Sequence, residues 1–129
     1  MKHGIHVSFD NPDKTALRWD FAYHWTWDDF YASLQTGLGM RATVKEIPCV
    51  PIILDFKDSG PIPMGVLPHA RAALEMMDPH DYLIVANGSG FTRSLVEVVR
   101  TLNPTAREKM MLVDTLEDAR LMIVERNQG

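Results

Sequence analysis

The sequence predicts an α/β fold: a mixed, mainly parallel sheet of about five strands, with an N-terminal antiparallel hairpin and about four helices. Three observations carry that prediction. Apolar and polar residues alternate through residues 5–9 and 17–25. Short apolar runs recur at 50–56, 82–86 and 110–113. A stretch of helical apolar spacing follows every run except the first, as a sheet covered by helices requires.

The elements follow in order. Ile5, Val7 and Phe9 alternate with His6, Ser8 and Asp10, the period of a half-buried strand. Asn11-Pro12-Asp13 supplies turn chemistry. Leu17, Trp19, Phe21, Tyr23 and Trp25 then alternate with polar or small neighbours, which completes a hairpin with one face on the core. At Thr26 the period changes. Thr26-Trp27-Asp28-Asp29 sets a hydroxyl three residues before an acid, a helix start, and Trp27, Phe30, Tyr31 and Leu34 follow at helical spacing. Gly37 and Gly39 are expected to end this helix or loosen its last turn.

Val50–Phe56 is apolar on both faces, as a central parallel strand is, with Pro51 near its start. After a loop over Asp58–Gly65 comes a helix with Pro68 in its first turn and an inner stripe of Leu67, Ala70, Leu74 and Met77. Tyr82–Ala86 reads as a strand and Asn87–Gly90 as a tight turn. Phe91, Leu95, Val98 and Leu102 mark another helix. Met110–Val113 is a short strand. Thr115–Asp118 repeats the capping pattern before a last helix with Leu116, Ala119 and Ile123 inward. There are no repeats and no linker, so residues 1–129 are expected to form one domain.

Composition narrows the function classes. The 129 residues are enough for a core without staples. A net charge of -4, with no local run of Lys and Arg, opposes a phosphate backbone and disfavours nucleic acid. Cys49, the one cysteine, excludes an internal disulfide and a cysteine zinc cage, and reads as core filler. The N-terminus lacks the apolar stretch of a signal peptide, and no apolar run is long enough to span a bilayer. A cytoplasmic location and no membrane partner are expected.

Each chemical motif has a plain structural reading beside it. Gly88-Ser89-Gly90 between strand and helix suggests a nucleophile elbow, but that turn needs small residues two positions either side of the serine. Asn87 and Phe91 stand there, and no histidine follows His80. The turn reads better as a helix start capped by Ser89 or Thr92. With Arg93 it offers a weak anion site, though it matches no phosphate-loop or dinucleotide pattern. His3, His6 and His24 invite a metal, but in the expected register His6 faces Asp20 or Arg18, and solvent-facing strand residues explain all three. No cofactor is expected. The aromatic run Trp19, Phe21, Tyr23, Trp25, Trp27, Phe30, Tyr31 reads as core, although so many rings on one face also suit an apolar cavity for a small apolar or amphipathic ligand.

The Asp58–Gly65 loop is the foremost candidate site. It leaves the carboxyl end of a central strand, where open α/β sheets present their sites, and Pro61, Ile62, Pro63 and Met64 make it unusually apolar. Two prolines reduce the entropy lost on docking. The plain alternative is that Ile62 and Met64 tuck under the following helix.

Three segments resemble the STAS domain of bacterial anti-sigma factor antagonists: Ile53-Leu54-Asp55-Phe56-Lys57, Ala86 to Leu95, and Val113 to Ala119. With the element order, the resemblance runs from about Ile5 to Val124. It implies a non-enzymatic regulatory module that binds another protein, kinase-like or regulatory, with a homodimer left open. In that family a serine at the start of the helix after the central strand is phosphorylated. Matched on the helix start, Pro63-Met64-Gly65 occupies that stretch and Met64 stands in place of the serine. Asp58-Ser59-Gly60 matches by letters but lies several residues too early. The partner-binding residues expected from the loop and the resemblance together are Asp58, Ser59, Gly60, Ile62, Met64, Gly65, Ser89 and Arg93, with no catalytic residue among them.

Overall fold

The expected hairpin pairs where its alternation predicts. In a computed structural model, which describes residues 4–128, β1 (Ile5–Phe9) lies antiparallel to β2 (Leu17–Phe21), with Ile5 opposite Phe21 and His6 opposite Asp20. The connection is held by Asn11, whose Oδ1 accepts from the Thr15 amide at 3.0 Å. Lys14 takes the left-handed turn at φ 59°.

β2 then runs parallel to β3 (Pro51–Asp55), β3 to β4 (Tyr82–Ala86), and β4 to β5 (Met110–Leu112). The strand order β1-β2-β3-β4-β5 advances one place at a time in one direction. Right-handed crossovers therefore stack the connecting helices on a single face. These are α1 (Trp27–Ala42), α2 (Val66–Met76), α3 (Gly90–Leu102) and a short α4 (Pro104–Lys109). Ile52 and Leu54 of the middle strand, and Phe56 just after it, pack there, against Leu34 of α1, Leu74 of α2, and Val96 and Val99 of α3. The alternate residues Ile53 and Ile84 face the other way, under α5 (Leu116–Gln128) and its buried Ala119.

The caps match the expected chemistry. Thr26 and Asp29 form a reciprocal capping box at the start of α1, Ser89 caps α3, and Thr115 Oγ1 accepts from the Asp118 amide in α5. Pro51 opens β3, and Pro68 falls in the first turn of α2.

Six expectations are corrected. The second strand ends at Phe21 rather than Trp25, because β3 pairs only with Leu17–Asp20 and the Tyr23 carbonyl turns instead to the Gly60 amide. Tyr23 is consequently exposed rather than core. Gly37 and Gly39 do not end α1. Gly37 lies buried within the helix, where a Cβ would make ordinary contact with the Trp19 ring at 3.5 Å, and α1 runs on to Ala42. Cys49 is exposed: it lies ahead of β3, which begins only at Pro51, and it is Val50 that packs with Leu17 and Val44. Leu67 faces solvent, leaving Ala70, Leu74 and Met77 as the inward side of α2. In α3 the Ser89 cap phases Thr92, Val96 and Val99 inward, so Phe91, Val98 and Leu102 lie outside.

Helix α4 was not foreseen, although Asn103, whose Oδ1 accepts from Thr105 and Ala106, with Pro104 in the first turn, is a recognisable start signal. At the amino ends of β3 and β4, Arg41 of α1 is buried against Asp81 (2.8 Å) and donates to the Val44 and Ile47 carbonyls. Asp81, 1% exposed, also accepts from the Val50 amide, tying α1 to the starts of β3 and β4.

Candidate functional site: a pinned loop over an apolar cavity

The 58–65 loop is fastened to the turn that follows β2. Trp25 Nε1 donates to Ser59 Oγ at 2.9 Å, and Ser59 Oγ donates to the Gly60 carbonyl. The Gly60 amide donates to the Tyr23 carbonyl at 2.9 Å. A Cβ on Gly60 would stand 2.7 Å from that same carbonyl oxygen, so only glycine fits there. Trp27 Nε1 donates to the Met64 carbonyl at 2.7 Å. Gly65 then turns left-handed (φ 91°) into α2.

The two readings of the loop each hold for one residue. Ile62 turns inward onto the aromatic cluster of Trp19, Phe21 and Trp25. Met64 is 94% exposed. Its backbone is held while its side chain projects into water, and Asp58 is likewise exposed. Leu67 on α2 and Leu102 on α3 border the same outer groove between those helices, and Phe91 is 65% exposed at the start of α3.

Beneath the loop lies a part-open cavity of about 80 Å³, between the sheet and α1, α2 and α3. Phe21, Trp25, Phe56 and Leu54 form its sheet side, with Ala70, Ala73 and Val99 among the helix residues. Phe21 and Phe56 stack at 4.3 Å, and Trp25 meets Phe21 edge-on at 5.0 Å. Of the aromatic residues expected to be core or to line a cavity, Trp19, Phe21 and Trp25 are buried, Phe21, Trp25, Trp27 and Phe30 line the cavity, and Tyr23 does neither. The helix residues completing the wall were not foreseen, because only the stacking of α2 on α3 brings them there.

The Ser89–Arg93 turn leaves the end of β4, next to the end of β3 from which the loop departs. Ser89 Oγ accepts from the Thr92 amide and donates to Thr92 Oγ1, and Arg93 pairs with Asp114 at 2.5 Å. Backbone strain falls on Asn87 (φ 59°), whereas Ser89 sits at φ -64°, so the residue held in the unusual conformation is not the hydroxyl-bearing one. Asn87 Nδ2 donates to Asp55 Oδ1 at 3.0 Å, and the Lys57 amide donates to the same oxygen. Asp55, an acid closing an apolar run, escaped sequence reasoning as a residue that orders this edge. The expected residues thus share the carboxyl edge of the sheet, although the strand order never reverses to open a crevice there. The concavity lies under α2 instead.

His6 faces Asp20 across the hairpin, and His3 lies outside the described residues. Among the described residues no group of three or more His, Cys, Asp and Glu is arranged to hold a metal ion. None of their helices is long and apolar enough to cross a membrane.

Fold and site together define an α/β protein with a five-stranded mixed sheet and an apolar, loop-capped cavity on its helical face. Comparison with known proteins gave no matching family model, no matching curated protein and no matching solved structure.

Proposed function

We propose that this chain is a non-enzymatic, STAS-like interaction module that acts in the cytoplasm by docking on another protein. The observation that carries the reading is Met64: an apolar side chain 94% exposed on a backbone fixed by the Trp27 indole. Because its backbone is already held, docking costs the rotamer freedom of this side chain but little further ordering of the loop. Leu67, Phe91, Val98 and Leu102 on the adjoining helices extend the exposed apolar surface, and Asp58 and Arg93 supply charge near it. The partner it suits presents an apolar face with a polar rim.

Met64 stands where the resembled family has its phosphorylated serine, so this module is read as unswitched at that position. Ser59, the other serine of the loop, is engaged on both sides by Trp25 and Gly60. Capture from a lysate of the native cell tests the reading, with partners identified by mass spectrometry. Met64→Asp is expected to abolish a partner that the unsubstituted chain retains, with the melting temperature shifted by no more than a degree or so, as for an exposed side chain. Retention of the same partner by Met64→Asp refutes this surface.

A further inference from the structure

We propose that the cavity under α2 and α3 receives the alkyl chain of a small amphiphile, with the polar end left outside the mouth. Every residue lining the cavity is apolar. The only polar side-chain atoms among them are the indole nitrogens of Trp25 and Trp27, and both already donate, to Ser59 Oγ and the Met64 carbonyl. Nothing in the lining is left to hold a water or a charge. A site of this kind stays dry, and burying a polar group in it carries an uncompensated desolvation cost. The ligand chemistry that remains is hydrocarbon.

The space is also larger than chance packing leaves. One water needs about 10–15 Å³ of such volume, and this cavity offers about 80 Å³. It cannot readily collapse, because one wall is a strand surface carrying the stacked Phe21–Phe56 pair and the edge-on Trp25. The facing positions of α2 are Ala70 and Ala73, where longer side chains would fill the gap. Cavities of about 150 Å³ hold a benzene ring. At roughly half that volume the cavity is too small for a ring, and with an open side it suits the terminal few methylenes of an alkyl chain entering endwise, the rest of the chain staying outside.

Entry follows from exposure. The cavity is part-open, and its lining includes Trp27 at the start of α1, Ile62 of the loop and Val66 at the start of α2, each half-buried, so a ligand has a route in from solvent. Val99 lines both this cavity and the outer groove between α2 and α3, so one side chain separates them. A small separation of the two helices would lengthen the slot.

Titration with 1-octanol and with octanoate tests the proposal, read by fluorescence of Trp25 and Trp27 and by the melting temperature. Both are expected to bind saturably in the millimolar range or tighter, with similar affinity, and to raise the melting temperature. Ala73→Leu, which fills the slot, is expected to weaken both at least tenfold while folding normally; Ala70→Leu serves if the first variant does not fold. The absence of saturable binding, or undiminished binding by a folded filled variant, overturns the site. Preference for toluene over octanol overturns the alkyl assignment, and a large preference between the two octyl ligands overturns the solvent-exposed polar end. Met64 lies outside the lining, so failure of this site and failure of the docking surface are separately visible.

Discussion

Gly60 determines how the loop sits against the rest of the molecule. Its amide meets the Tyr23 carbonyl, and the same oxygen leaves no space for a Cβ. Gly60→Ala is therefore expected to destabilise the protein by about 1–3 kcal/mol, the range for overpacking a tight contact, as measured by denaturant unfolding. It should also alter Trp25 and Trp27 fluorescence, since the loop bonds to both indoles. Sequence reading singled out Gly60, Ser59 and Met64 as partner-binding residues. The structure gives Gly60 and Ser59 an internal holding role and leaves Met64 outward. Letters alone do not separate those roles, because each depends on a group more than thirty positions away: the Tyr23 carbonyl for Gly60, the Trp25 indole for Ser59 and the Trp27 indole for Met64.

Helix α1 shows both how far local signals reach and where they stop. Its start was legible in Thr26 and Asp29, a capping box complete within four residues. Its end was not. Gly37 and Gly39 carry the composition of a helix stop, yet the last turn is retained by Arg41, whose partners lie on β4's approach and the segment before β3. Gly39 is exposed in the helix interior with no heavy atom within 4 Å of an added Cβ. Gly39→Ala is accordingly expected to stabilise the protein by up to about 1 kcal/mol, a rise of about 3–5 °C in melting temperature for a domain of this size. Helix α3 carries the opposite lesson. Apolar residues occupy both of its faces, so spacing identified a helix but could not choose between the Phe91–Leu102 side and the Val96–Val99 side.

Across the whole molecule, Asp10 joins the two ends of the chain. It pairs with Arg18 of β2 at 2.7 Å and with Arg120 of α5 at 2.9 Å, and its side chain is only 6% exposed. Burial by itself would favour the neutral acid, but hydrogen bonds and charge from Arg120 and Arg18 outweigh it and hold the carboxyl below its usual range. A lowered pKa in the folded state means that the stability Asp10 contributes is complete above about pH 4 and is lost as pH falls through the lowered value. Asp10→Asn is expected to cost about 2 kcal/mol at neutral pH, in the range for hydrogen bonds to charged groups. The gap between variant and parent should close on acidification, and an undiminished gap at the lowest pH at which both fold would contradict the assignment.

Local periodicity and capping determined the strands, the helix starts and the α/β class, because alternation and cap chemistry act between residues a few positions apart. Only the tertiary structure decided which side of α3 is buried, which loop residues point inward, and that Ala70, Ala73 and Val99 close an apolar cavity against Phe21 and Phe56. Those outcomes depend on where one helix stands beside another over the sheet. That placement is a packing equilibrium among distant side chains, and no short window of sequence contains both partners.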